Sequence, residues 1–321
     1  MPNRNNPKDD TLYKEEIRRN IAKQKREKNA VILAHNYQRD EIQEIADFSG
    51  DSLELARAAV RTKEDIIVFC GVHFMAESAS ILNPGKKVLL PVKEAGCPLA
   101  DMITARKLRE KKKEFPDAAV VCYVNSSAEI KAESDISCTS SNAIEVVRFI
   151  KNKRIIFVPD KNLGRYVQAQ VPEKDIILWE GFCPTHIRLT EEDVIKAKIN
   201  FPKAAFIAHP ECRPEVLNLA VHICSTKGMF DYAKTSKAKE FIIGTENGML
   251  YKLRKENPGK KFYIPTTHLV CANMKLTTLG WVAHSLENMV YEVKVPDRVR
   301  DKARRTLERM LSITGKAKAK A

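Results

Sequence analysis

The sequence predicts an α/β protein built from three similar αβα three-layer domains, each with a parallel four-stranded sheet, related by a pseudo-threefold axis. Three observations predict it. Apolar strand-like runs recur along the 321 residues in one register, with a period near 87. Those runs are continuously apolar, as strands buried on both faces of a parallel sheet require. They alternate with helical stretches of ~8–12 residues, the pattern of βαβ units.

The register rests on four sets. Three runs end in a polar cluster: Val31 leads to His35, Asn36 and Tyr37; Ala119 leads to Tyr123, Val124 and Asn125; Ala205 leads to His209, Pro210 and Glu211. Aligning His35, Tyr123 and His209 gives steps of 88 and 86 residues, and Ser52, Ser140 and Thr226 repeat the same steps. The runs 66–69, 155–158 and 241–243 form a third set. The fourth comprises 88–90, 176–178 and 262–264, each followed by a loop with a cysteine: Cys97, Cys183 and Cys271, at steps of 86 and 88. A period of ~20–50 residues would mean a solenoid, whereas this one means three copies of a small α/β unit.

In the first unit we expect strands near 31–35, 66–69 and 87–91 and helices near 40–47, from Ser52, and near 74–82. The second and third units add short strands at 134–138 and 221–224. Linking helices follow the cysteines at 99–113, 190–200 and 275–288. The expected division is 1–98, with an N-terminal helix and joined by a C-terminal extension 289–321, then 99–184, then 185–288.

Composition narrows the function. The formal net charge is +14, with the excess concentrated at 18–28, 107–113 and 298–320. The first two read as solvated helix faces and 315–321 as a frayed basic tail. Aromatic residues make up 7% and do not interleave with the basic stretches, so nucleic acid is not expected as a partner. No window approaches the ~18 apolar residues of a membrane span, and the polar first ten residues carry no signal-peptide core. A cytoplasmic location is expected. Eight cysteines in a reducing compartment are not expected to be disulfides. With no C-x-x-C pair, a cysteine metal site has to be assembled from distant parts of the chain.

In parallel α/β sheets, ligands bind beyond the carboxyl ends of the strands. The sequence places His35, Asn36, Tyr37, Tyr123, Asn125, Ser126, His209 and Glu211 there. A lone polar residue at a strand end is often a turn former, but histidine, tyrosine and carboxylate at one position in three units can supply acids and bases. Hydroxyls precede three helices: Asp51 and Ser52, then Thr139, Ser140 and Ser141, then Ser225 and Thr226. Each is an N-cap candidate, and three equivalent helix N-termini also suit an anion with several charges. Cys70, Cys122, Cys138 and Cys224 read as buried small hydrophobes, and Cys212 is left open. Cys97, Cys183 and Cys271 lie in equivalent loops and fit a trigonal face of a metal site. Zinc on three thiolates needs a fourth ligand. A cubane on three thiolates leaves one iron open as a Lewis acid, and the symmetry favours it.

These residues resemble the quinolinate synthase family, the A protein of NAD biosynthesis. The matching motifs are Ala34-His35-Asn36-Tyr37-Gln38, Gly50-Asp51-Ser52, Ala95-Gly96-Cys97, Tyr123-Val124-Asn125, Gly181-Phe182-Cys183-Pro184-Thr185-His186, His209-Pro210-Glu211, Ser225-Thr226 and Cys271-Ala272-Asn273-Met274-Lys275. They span ~30–290 in the family's order. The resemblance implies three αβα domains around a central site. It implies condensation of iminoaspartate with dihydroxyacetone phosphate, with loss of phosphate and two waters, to give quinolinate. Carried over, Cys97, Cys183 and Cys271 would ligate a [4Fe–4S] cluster with one open iron. His35, Ser52, Tyr123, Asn125, Ser140, His209, Glu211 and Thr226 would hold substrate. Tyr37 and Glu211 would move protons, with His186 assisting. The pathway implies L-aspartate oxidase or aspartate dehydrogenase as functional partner. Some members carry C-x-x-C-x-x-C at the third ligand. Pro265 and His268 replace the first two here, so a disulfide switch is not expected. The rival readings are another [4Fe–4S] hydro-lyase acting on a small carboxylate, and a basic binding protein without metal.

Overall fold

The computed structural model describes residues 7–318, and the first unit begins with α1 (Pro7–Glu27). It continues through β1 (Ala30–His35), α2 (Asp40–Ile45), β2 (Phe48–Gly50), α3 (Ser52–Arg61), β3 (Ile66–Cys70), α4 (His73–Leu82) and β4 (Lys87–Leu89). The second runs through α5 (Pro98–Asp101), α6 (Ala105–Glu114), β5 (Ala119–Tyr123), α7 (Ala128–Ala132), β6 (Ile136–Cys138), α8 (Ala143–Phe149), β7 (Arg154–Val158), α9 (Lys161–Gln170) and β8 (Asp175–Leu178). The third comprises α10 (Glu191–Asn200), β9 (Ala205–Ala208), α11 (Pro214–Leu217), β10 (His222–Ile223), α12 (Thr226–Thr235), β11 (Glu240–Gly244), α13 (Met249–Glu256) and β12 (Lys261–Tyr263). Helices α14 (Leu279–Asn288) and α15 (Asp297–Lys318) close the chain.

Each unit carries one four-stranded sheet, and the three sheets share one order: β2-β1-β3-β4, β6-β5-β7-β8 and β10-β9-β11-β12. Every ladder is parallel. The expected architecture is therefore present. Central strands are apolar throughout because helices cover both faces: Ile32, Leu33, Ile67, Val68, Val121, Phe157, Ile207 and Ile242 are all within 1% of fully buried. Burial of each such side chain contributes roughly 1.5–3 kcal/mol.

Local details differ from expectation. Strand β2 was not expected, since Phe48 and Ser49 are not strongly buried. It exists because Phe48, Ser49 and Gly50 pair in parallel with Leu33, Ala34 and His35. The linking helices expected at 99–113 and 275–288 are broken near their starts, whereas the one expected at 190–200 forms there, after a separate turn. A short turn (Pro98–Asp101, His186–Arg188 or Met274–Leu276) precedes a longer helix capped by Thr104, Thr190 or Thr278. These threonines repeat at steps of 86 and 88, so the turn before the helix belongs to the threefold pattern. An N-cap hydroxyl offsets a free helical N–H and is worth ~0.5–2 kcal/mol, which favours starting the helix there.

The C-terminal extension touches two units. The stretch 291–293 pairs antiparallel with β4, through Leu90 N–H to Tyr291 O at 2.9 Å and Val293 N–H to Val88 O at 2.8 Å. Helix α14 packs on α1 and β3, while α15 lies across α7, β6, α8 and α4. Helix α15 continues to Lys318, into the tail expected to fray; 319–321 lie outside the described residues, as do 1–6.

Candidate active site

The order shared by the sheets puts a topological switch between the two central strands of each, and ligand sites form beyond the strand ends at such switches. The carboxyl ends of β1, β5 and β9 converge on one cavity of about 270 Å³. Asn36, Ser126, Ser141 and Ser225, placed at strand ends or helix starts by the sequence, do not line it, but the thirteen residues to which the resemblance gives a role all do. Those thirteen are His35, Tyr37, Ser52, Cys97, Tyr123, Asn125, Ser140, Cys183, His186, His209, Glu211, Thr226 and Cys271.

The hydroxyl set is placed by helix starts. Asp51 caps α3 in a capping box with Glu54, and Ser225 caps α12 by accepting from Gly228 N–H. Ser52 and Thr226 are the first helical residues after those caps, so their hydroxyls are not spent on capping. Ser140 stands before Asn142, which precedes α8 and makes no side-chain cap. A ligand here meets helix N-termini together with hydroxyls that do not cap them. Across the three units, Ser141 Oγ donates to Asp51 Oδ2 at 2.6 Å and lies 2.8 Å from Ser225 Oγ.

The acid–base groups form a buried cluster. Glu211 Oε2 lies 3.0 Å from His186 Nδ1 and 3.2 Å from His209 Nδ1, and the two imidazoles stack at 4.7 Å. Burial pushes the Glu211 carboxyl up, but the two imidazoles more than offset this and hold it below the usual carboxylate range. His209 Nε2 lies 3.1 Å from Ser140 Oγ, and burial holds that histidine below its ordinary value. His35 accepts the Tyr37 N–H at Nδ1, 3.2 Å away. Burial, and then His209, pull its pKa down to about 3, so it is neutral at pH 7. Burial and the nearby Glu211 hold the phenols of Tyr37 and Tyr123 well above their usual value, so both keep their protons.

Sequence reasoning passed over four groups. Thr245 is wholly buried, with its hydroxyl 2.6 Å from Tyr37 Oη and 2.8 Å from His186 Nε2. Its register equivalents are Gly71 and Pro159, so no repetition could flag it. Asp160 and Glu246, also wholly buried, accept the backbone N–H groups of Cys183 and Cys271. Arg188 is the one lysine or arginine among the described residues that lines the cavity.

All eight cysteines are free. Cys97, Cys183 and Cys271 line the cavity and the other five do not. Burial raises all three thiols, Cys97 to about 12, with added repulsion between Cys97 and Cys271 and between Cys183 and Cys97. Three half-buried thiols lining one cavity fit a thiolate metal site, where the metal displaces the protons. A second donor set shares one of them: Cys183 Sγ, a His186 ring nitrogen and a Glu211 oxygen lie within 4.8 Å of one another. The shared sulfur means that the two sets cannot be filled independently. Cys212, left open above, is fully buried and donates to Gly244 O, a packing role like that of Cys70, Cys122 and Cys138.

A family model described as quinolinate synthetase A protein matches residues 19–312. Among curated relatives, the quinolinate synthase of Caldicellulosiruptor saccharolyticus is 57% identical over 300 residues, covering 94% of this chain and 99% of its own. That of Geotalea uraniireducens is 56% identical over 302 residues, covering 94% and 99%. Quinolinate synthase 2 of Methanosarcina acetivorans is 56% identical over 307 residues, covering 96% and 97%.

Proposed function

The chain belongs to the quinolinate synthetase A protein family, and from that premise we propose that its cavity binds a [4Fe–4S] cluster on Cys97, Cys183 and Cys271 and makes quinolinate from iminoaspartate and dihydroxyacetone phosphate. The protein is a quinolinate synthase of NAD biosynthesis. The two substrates together yield quinolinate, one phosphate and two waters, so atoms balance without an oxidant. One observation carries the reading: three thiols, one from each unit, share a single cavity with imidazoles, phenols, a carboxylate and hydroxyls of the kinds that move protons and bind anions.

When bound, a cluster with three protein thiolates leaves one iron open, which supplies a Lewis acid for a substrate carboxylate, nitrogen or hydroxyl. The chain's own residues do the rest. Ser52, Ser140 and Thr226 bind an anionic group beside helix N-termini. Thr226 Oγ1 accepts from Asn36 Nδ2 at 3.4 Å and keeps its own proton to donate. Asn125 Oδ1 is buried without a partner among the described residues and can accept from a substrate N–H or O–H. Tyr37 holds a proton to give. Glu211, held ionised by two imidazoles, takes one. The hydrogen bonds Tyr37–Thr245–His186–Glu211 connect them across units. L-aspartate oxidase or aspartate dehydrogenase would supply iminoaspartate, which favours a cytoplasmic setting. Among the described residues, no helix is long and apolar enough to cross a membrane.

The test is anaerobic purification with iron and sulfide analysis, coupled to quinolinate detection from the two substrates. About four irons and four sulfides per chain are expected. Turnover without iron would sink the cluster, and a single zinc per chain would favour the Cys183–His186–Glu211 set.

A further inference from the structure

The three cysteine loops are not held alike. In each unit the backbone after the third strand in chain order bonds to the loop two residues before the cysteine. The pairs are His73 N–H to Ala95 O at 2.7 Å, Lys161 N–H to Gly181 O at 2.8 Å, and Asn247 N–H to Leu269 O at 2.9 Å. These bonds make Val72, Asp160 and Glu246 equivalent, because each immediately precedes the donor. Asp160 Oδ2 accepts the Cys183 N–H at 3.0 Å, while its Oδ1 caps α9 through Leu163 N–H at 2.8 Å. Glu246 Oε1 accepts the Cys271 N–H at 3.2 Å, and its Oε2 accepts Gly248 N–H at 2.7 Å. Lys275 Nζ lies 3.0 Å from the same carboxylate. Valine in the first unit has no such oxygen. The Cys97 loop is instead held from the third unit, by Asn273 Nδ2 donating to Gly96 O at 2.8 Å.

We infer that Asp160 and Glu246 are positioning residues for the metal-binding thiolates of Cys183 and Cys271, an inference that rests on the three-cysteine site proposed above. Both carboxylates are fully buried and each bridges the start of a helix to a cysteine backbone. The bridge fixes the loop against a rigid element and leaves the sulfur free. Gly181 serves the same placement. A Cβ there would stand 2.4 Å from Pro159 O, so only glycine lets this loop approach the residue before Asp160. Ligand-orienting groups of this kind typically change metal affinity ~10–100-fold when removed.

Asp160→Ser separates the two duties of that side chain. Serine still caps α9 but has one oxygen, and it cannot also reach Cys183 N–H. The measurement is the rate at which anaerobically loaded enzyme loses its cluster absorbance to excess EDTA, alongside Tm. Asp160→Ser and Glu246→Gln should each lose the cluster at least about fivefold faster than wild type, with the Tm of Asp160→Ser close to wild type. Thr104→Ala removes a cap that touches no cysteine, and should lower Tm without speeding cluster loss. Wild-type loss rates in both carboxylate variants overturn the inference, as does faster loss that merely tracks Tm across all three. If Asp160→Ser does not fold, Glu246→Gln decides. Cys183→Ala keeps the two readings apart. Should that variant still hold four irons, the three-cysteine site itself is wrong. Should it lose them while Asp160→Ser and Glu246→Gln do not, only the positioning role is.

Discussion

The phenol of Tyr37, from the first unit, lies 2.6 Å from the hydroxyl of Thr245, from the third. The same threonine oxygen meets His186 at 2.8 Å, so one buried hydroxyl joins two groups assigned to proton movement. Thr245→Val keeps the shape and removes that oxygen. Turnover should fall at least about tenfold with the cluster retained, and Thr245→Ser should restore most of it. Steady-state kinetics on fully loaded enzyme decide this. Wild-type turnover in Thr245→Val would take the threonine out of the path.

Tyr37→Phe removes only an oxygen. Turnover should fall ~10²–10⁴-fold with little change in stability, because the ring packing is preserved. Single-turnover quinolinate formation checks it. An unchanged rate leaves Tyr37 a packing residue.

Ser52→Ala, Ser140→Ala and Thr226→Ala should each weaken substrate binding about tenfold or more while iron content stays at the wild-type level. A hydrogen bond to a charged group is worth ~1.5–3 kcal/mol. Three variants with wild-type KM would make these residues ordinary members of their helix starts.

His35 predicts a pH dependence. Its folded pKa, about 3, lies below the ordinary 6.5, so the unfolded chain takes up a proton where the folded chain does not. Stability from keeping His35 neutral is therefore intact above pH 6.5 and drains away as pH falls toward 3. The loss reaches at most ~1.4 kcal/mol per pH unit. The drop in Tm from pH 7.5 to 5.5 should be smaller in His35→Gln than in wild type. Equal drops would assign the acid sensitivity elsewhere.

Ligation gives the last test. Alanine at Cys97, Cys183 or Cys271 should abolish cluster and activity, whereas alanine at Cys70, Cys122, Cys138, Cys212 or Cys224 should leave a cluster. Iron analysis under anaerobic conditions reads both outcomes. A Cys97, Cys183 or Cys271 variant that binds four irons and turns over would contradict the assignment.

What could be read from residues alone depended on repetition and on burial. Strands such as Ile66–Cys70 are legible because both faces are covered, which leaves an uninterrupted apolar run. Strand Phe48–Gly50 is not. It is three residues long, its Phe48 is 39% exposed, and it exists through pairing with β1. Site residues stood out where three units carry chemistry at one register position, as with Ser52, Ser140 and Thr226. Thr245 escaped notice because its counterparts Gly71 and Pro159 carry none, and the equivalent pair Asp160 and Glu246 because the first unit has Val72 at that position. Their roles come from tertiary contacts with His186, Cys183 and Cys271, which no local pattern encodes.

The antiparallel pairing of 291–293 with β4 also governs how the chain emerges from a ribosome. The first unit is synthesised first, yet β4 waits some two hundred residues for its neighbour, and α1 waits some two hundred and fifty for α14. The second unit likewise lacks the cover of α15 until the end. Domains generally fold as units during synthesis, but here the earliest can finish only after the last is made. A nascent chain therefore carries an open sheet edge at β4 until the stretch 291–293 has been made. Shortening the gene by the codons for 291–318 would leave every cavity residue encoded and the first and second units unsealed.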